Sequence, residues 1–183
     1  VEFVENLITF GISEIFILDT GSTDNTVPLF KTFPNVTLYF KTIQPFDFSY
    51  ARNHLRDLVP RKFDYYLHLD LDERIESFPD LNHENKKIIL GSRKEVLFDT
   101  ITDNYLKLTP NLDYEYKFPI HEILVPLEPN YHLDSKFVIK HLQKEVKDRY
   151  ESMTELYFDQ WPDHLFYHYI EDLYRLKKYE RLI

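Results

Sequence analysis

Through residue 73 the chain alternates two hydrophobic periods, and that alternation constrains its fold more than any other feature. Residues 2–10 (EFVENLITF) place Phe3, Val4, Leu7, Ile8 and Phe10 at helical spacing, and Gly11 follows as a C-cap. Residues 14–18 (EIFIL) are short, apolar and β-branched, as a buried strand is. Residues 25–33 read as a helix, 36–41 (VTLYFK) as a strand, 48–58 (FSYARNHLRDL) as a helix capped by Ser49 and ended by Pro60, and 64–69 (DYYLHL) as a third strand. Helix and strand in turn predict βαβ units and an α/β fold, a mostly parallel Rossmann-like sheet flanked by helices.

Beyond residue 80 the expectations are a helix over 82–90, strands over 94–101 and 104–108, and a long functional loop over 110–135, rich in Pro, Asn, Tyr and His. From 143 onward the pattern is helical and breaks at Trp161-Pro162. The expected division is a catalytic domain over 1–142 and a helical C-terminal extension over 143–183. His164 and His168, four apart on that extension, read as packing or surface residues.

Charge and composition remove several function classes. With 22 basic and 31 acidic side chains the formal net charge is −9, which disfavours a nucleic-acid binder, since that needs a basic surface to displace phosphate counterions. Cysteine is absent, so disulfide frameworks, thiolate zinc sites and a Cys nucleophile are excluded, and a reducing cytoplasmic location is compatible. No apolar run reaches the ~20 residues of a membrane helix, and no secretory leader is visible. An apolar fraction of 43% with 15 Phe and 14 Tyr supplies a core.

Two of the predicted strands run into carboxylates: Ile17-Leu18-Asp19, and His68-Leu69-Asp70-Leu71-Asp72. In open parallel sheets ligands bind beyond the carboxyl ends of the strands, so Asp19, Asp70 and Asp72 are candidates for one cleft. The competing reading of a strand-end Asp is a cap on the next helix. Residues i and i+2 of a strand lie ~6.6 Å apart, too far for Asp70 and Asp72 to chelate one small ion easily. A division of labour follows, one carboxylate on the metal and the other on a ligand hydroxyl or metal-bound water. Oxygen donors without Cys favour Mg²⁺ or Mn²⁺ over Zn²⁺. Gly21, one of three glycines, lies between strand and helix, where φ > 0 and close backbone approach shape a nucleotide pocket.

Four segments together resemble family 2 glycosyltransferases. Asp19-Thr20-Gly21-Ser22-Thr23-Asp24-Asn25-Thr26 is similar to that family's DTGSTDxT, and Phe48-Ser49-Tyr50-Ala51-Arg52-Asn53 to its F-S-x-A-R-N. Leu67-His68-Leu69-Asp70-Leu71-Asp72-Glu73 resembles its strand with D-x-D-E, and Ile120-His121-Glu122 its I-H-E. The resemblance implies a GT-A fold, a nucleotide-sugar donor (a UDP-sugar as the commonest case), a Mn²⁺ or Mg²⁺ cofactor, and a glycan, lipid or protein acceptor. It implies that Asp19, with Gly21 and Ser22, contacts the nucleoside and that Arg52 holds the nucleotide. Asp70 faces the ribose or the metal, and Asp72 binds the metal that bridges the diphosphate. Glu122 is the expected base, His121 the second choice, and His141 a further ligand of the metal or diphosphate. Lys107 stands in the family's R-L-F-R segment, here Tyr105-Leu106-Lys107-Leu108-Thr109. The family's members open with a strand that carries part of the nucleotide site; this chain opens at Val1 in the following helix, so the expectation is a truncated start, and the final helices stop abruptly.

The competing functions are a non-catalytic sugar-nucleotide-binding or scaffold relative, a DxD phosphohydrolase and a nucleotidyltransferase. A phosphohydrolase wants Thr two residues after the second Asp, where this chain has Arg74. A nucleotidyltransferase wants a glycine-rich, basic N-terminal loop, which this sequence lacks.

Overall fold

The computed structural model describes residues 1–81 and 86–142; the expected helical extension over 143–183, with His164 and His168, lies outside them. The first helix, α1 (Glu2–Thr9), buries Phe3, Val4 and Leu7 on one face, each contributing about 1.5–3 kcal/mol. Gly11 follows it at φ +78° and donates its N–H to Ile8 O. Strand β1 (Ile15–Asp19), helix α2 (Thr26–Phe30) and strand β2 (Val36–Phe40) form one unit, with β1 and β2 paired in parallel from Ile15↔Val36 to Asp19↔Phe40. Helix α3 (Phe48–Leu58) is capped by Asp47, which accepts the Tyr50 N–H at 2.8 Å and the Ser49 hydroxyl at 2.7 Å. The predicted cap Ser49 is thus a donor to the real one.

The remaining strands depart from the sequence expectation. Strand β3 (Tyr66–Leu67) is followed by β4 (Glu73–Ser77), β5 (Ile88–Glu95), β6 (Thr100–Thr109), β7 (Tyr114–Lys117), β8 (Ile123–Pro126) and β9 (Tyr131–His141). They form a mixed sheet of order β3-β6-β5-β9-β4 and a separate β7–β8 hairpin. Only β5–β9 pairs in parallel there; β3–β6, β5–β6, β4–β9 and β7–β8 are antiparallel. The expected helix-flanked, mostly parallel GT-A or Rossmann-like sheet is therefore corrected: among the described residues strand outweighs helix more than twofold, and the larger sheet curls into a half-barrel.

The physical reasons are local. After β3 the α/β alternation ends, because the chain turns back at Asp70, where Glu73 N–H donates to Asp70 O at 3.0 Å. Strand β4 then runs antiparallel to β9 rather than leading into a crossover helix. Of the expected helix over 82–90, residues 82–85 lie outside the described residues, and from Ile88 the chain is a strand instead: Ile88 and Ile89 are buried, and a short turn with Asp99 at φ +50° folds β5 back on β6. The expected loop over 110–135 contains the β7–β8 hairpin and the start of β9.

Three apolar clusters hold these pieces. Phe3, Val4, Leu7, Ile15, Phe30 and Ile75 join α1, β1, α2 and β4. Asn6 ties α1 to β4, donating from Nδ2 to Ile75 O at 3.0 Å and accepting the Ile75 N–H at 2.8 Å. Ile89, Leu108, Phe137 and Ile139 pack the larger sheet, and Tyr66, Leu112, Tyr114 and Tyr116 pack beside the β7–β8 hairpin. A cavity of about 780 Å³ lies between β1, α3 and β3. Its walls are mainly apolar, and Thr20, Arg52 and Asp70 are among its polar lining.

Candidate functional site

Helix α3 organises the site. Its small Ala51 is buried, which seats the helix closely, and the two following residues reach across to distant segments. Asn53 clamps β7 with a two-way amide pair, Nδ2 donating to Tyr116 O at 2.8 Å and Oδ1 accepting the Tyr116 N–H at 2.9 Å. Arg56 adds a bond from its guanidinium to Tyr114 O. With β7 so fixed, Arg52 forks between two acids. Its Nη2 donates to Asp70 Oδ1 and its Nε to Glu122 Oε1, both at 2.6 Å, and its guanidinium lies 5.3 Å from the centre of the Tyr116 ring. One planar group therefore gathers three of the four recognised segments.

Asp70 has a second cation behind it, Lys107 Nζ at 3.7 Å from Oδ2. Burial would raise the Asp70 carboxyl, but Lys107 and Arg52 outweigh it and hold it far below the ordinary carboxylate range. Lys107 is itself buried, 3.2 Å from Glu73 Oε2. Its charge therefore reaches the site through Asp70. Burial opposes its charge, and Glu73 with Asp70 overcomes that and raises its pKa.

Asp72 points to the other flank, where His141 Nε2 stands 3.4 Å from its Oδ2. His141 ends β9, and its Nδ1 donates to Glu95 Oε2 at 2.6 Å. Burial alone would lower its pKa, but hydrogen bonds to Asp72 and Glu95 push it up to about 9. The same bond to His141 lowers the Asp72 carboxyl. Arg93 lies against this pair, 3.0 Å from Glu95 Oε1, and its buried Nε has no hydrogen-bond partner among the described residues.

The first segment behaves differently. Asp19 Oδ1 accepts the backbone N–H groups of Gly21 and Ser22, each at 3.1 Å. Those bonds outweigh burial and lower its pKa. Asp19 thus closes its own loop and does not cap α2, whose N-cap is Asn25. Gly21 sits at φ +123°, as its turn requires. The loop meets the cavity through Thr20. His121 has φ +51° and Phe118 φ +73°, left-handed conformations that cost a non-glycine residue energy and cluster at functional segments. Phe48 N–H donates to Pro119 O at 2.9 Å, tying this segment to α3.

The arrangement brings together Arg52, Asp70, Asp72, Lys107, Glu122 and His141, and keeps Asp19, Gly21 and Ser22 in their own loop. Sequence reasoning missed Glu73, Arg93, Glu95 and Tyr105. Arg93 and Glu95 alternate on β5, and Tyr105 and Lys107 alternate on β6. That period of two was the available signal, but its meaning depends on strand pairing.

Among the described residues no cluster of three or more His, Asp or Glu side chains converges as a metal cage. The donors that do meet, Asp72 and His141, fit a Mg²⁺ or Mn²⁺ ion carried by a diphosphate. Such ions keep several waters and take one or two protein ligands beside substrate phosphates. The Glu95–His141 bond would supply the carboxylate–histidine pairing that orients the imidazole if it held such an ion. No protein-family model matches the chain, and no curated protein matches it significantly. No helix among the described residues is long and apolar enough to cross a membrane.

Proposed function

We propose that the chain is a metal-dependent glycosyltransferase that moves a sugar from a nucleoside diphosphate donor, a UDP-sugar, to an acceptor hydroxyl of a glycan, lipid or protein with inversion, in the cytosol. The observation that carries this reading is the convergence on Arg52: residues from three motif segments, 18 and 70 positions away along the chain for the two acids, meet on one guanidinium. Charge supports it further. The cluster holds Arg52, Lys107 and Arg93 against Asp70, Asp72, Glu73, Glu95 and Glu122, so each of these cations is already matched; His141 would serve a metal only as the neutral imidazole, its proton displaced. A diphosphate adds negative charge that these residues cannot neutralise, and a divalent cation bound at Asp72 supplies the missing positive charge as the leaving group departs. The cavity between β1 and β3 is of ligand size and would take the nucleoside, with Arg52 and Asp70 facing the diphosphate and ribose. In the transfer, the acceptor oxygen bonds to the anomeric carbon while the bond from that carbon to the diphosphate oxygen breaks. The bond's electrons leave with the nucleoside diphosphate, and the hydroxyl proton passes to Glu122, with His121 beside it as the second candidate base.

One observation favours a second reading, a binding-only relative. Glu122 Oε1 is held by Arg52 at 2.6 Å, so that oxygen already accepts a hydrogen bond where a base would take the acceptor's proton. Release of UDP from UDP-sugars with Mn²⁺ separates the two. The transferase reading expects turnover that Asp72→Asn abolishes; donor binding without turnover supports the second reading.

A further inference from the structure

Glu73 is the one carboxylate of the cluster with no exposed surface, and its contacts reach both flanks of the site. Its backbone N–H donates to Asp70 O at 3.0 Å, and its Oε2 accepts the Asp70 N–H at 2.8 Å, so both ends of the residue clamp one turn. Oε2 also pairs with Lys107, the cation behind Asp70. Oε1 accepts the Tyr105 hydroxyl at 2.7 Å and lies 3.7 Å from Arg93 Nε. Arg93 in turn touches Glu95 and His141, and His141 meets Asp72.

We infer that Glu73 is a positioning residue of the proposed metal–diphosphate site, holding the Asp70-Leu71-Asp72 turn and the Lys107 and Arg93 charges so that both aspartates address one ligand. The inference rests on the transferase reading. Both oxygens of Glu73 face donors only, which a carboxylate satisfies and an amide does not, since an amide's NH₂ would oppose one of those donors. Without the charge of Glu73, Asp70 is the carboxylate left beside Lys107 among the described residues. A buried, uncompensated ammonium draws such a partner inward, and Asp70 then leaves Arg52.

The test is Mn²⁺ binding in the presence of UDP, followed by electron paramagnetic resonance, on the wild type, Glu73→Gln, Glu73→Asp and Tyr105→Phe, with thermal unfolding alongside. Glu73→Gln is expected to weaken Mn²⁺ binding about 10–100-fold, as loss of a supporting residue does. Tyr105→Phe weakens it less, and Glu73→Asp recovers part of the loss. A purely structural Glu73 would lower the unfolding temperature and leave the Mn²⁺ midpoint unmoved, which overturns the inference; Tyr105→Phe carries the same comparison if Glu73→Gln does not fold. A metal-free measurement separates this inference from the reading beneath it. If the wild type binds no Mn²⁺ with any nucleoside diphosphate, the transferase reading fails. Glu73 as the clamp then stands or falls on whether the Asp70 amide and Arg52 Nε–H nuclear magnetic resonance signals shift in the Glu73→Gln or Tyr105→Phe variant.

Discussion

Arg52→Lys tests the geometry of the site without removing its charge. The guanidinium serves Asp70 and Glu122 at once, through two different nitrogens; an ammonium is a point charge and cannot span both. One charge-assisted hydrogen bond is therefore lost, a loss of about 1.5–3 kcal/mol. Which half is lost matters. The Asp70 side chain is 43% exposed and Glu122 only 15%, so water screens the first bond more and the second carries the upper end of that range. The flat contact over Tyr116 adds about 0.5–1 kcal/mol. The expected cost is about 2–4 kcal/mol. Urea unfolding reads it directly: with a slope of about 2 kcal/mol/M, the midpoint falls by about 1–2 M. Pairing Arg52→Lys with Glu122→Gln should give less than the sum of the single effects, because the two share a bond. A midpoint within about 0.3 M of wild type, at unchanged slope, would refute the claim that Arg52 bridges the two acids.

Other expectations follow from the same coordinates. His68 is half-buried against Thr109, and desolvation, with the charges of Lys107 and Arg52, lowers its pKa to about 3; its contribution is present above the unfolded value near 6.5 and is lost as the pH falls below it. His141 is shifted the opposite way, to about 9; its contribution is full below about 6.5 and is lost as the pH rises through about 9. Urea midpoints against pH should therefore peak near neutrality, His68→Phe should flatten the acid limb, and His141→Gln the alkaline one. Gly91→Ala places a methyl group against the carbonyl oxygen and ring of Phe137; overpacking of that kind costs about 1–3 kcal/mol, so its urea midpoint should fall while a substitution at the open Gly11 position reports only the strain of its positive φ.

Parts of this molecule were legible in the sequence because their determinants are local. Helix α3 has its predicted bounds, since its spacing is internal and its break at Pro60 is only two residues beyond its end, and the β1–α2–β2 unit follows from short-range periodicity. The parallel-sheet expectation failed beyond β2 because strand pairing is non-local. Ile88 and Ile89 suit a helix or a strand equally, and only pairing with β6 and β9 decides. Strand β3 is just Tyr66–Leu67 because Glu73 captures the backbone of Asp70 and turns the chain. The site divides along the same line. Arg52, Asp70, Asp72, Glu122 and His141 stood out as residue types in motifs, and the structure brings them together. The buried support of Glu73, Arg93, Glu95 and Tyr105 was hidden, because alternate residues on β5 and β6 gain a shared face only once the strands are paired.

The central claim is that the cluster around Arg52 and Asp72 binds a nucleoside diphosphate with a divalent metal. Thermal unfolding with UDP, GDP, dTDP and CMP, each with and without Mn²⁺, tests it most directly. A ligand at ~100 times its dissociation constant adds ~2.7 kcal/mol, which for a chain of 183 residues raises the midpoint by about 5–11 °C. The account predicts such a rise with one nucleoside diphosphate, only when Mn²⁺ is present, and its loss in Asp72→Asn. A midpoint unmoved by every nucleotide, or a rise that survives both omission of Mn²⁺ and Asp72→Asn, would contradict it.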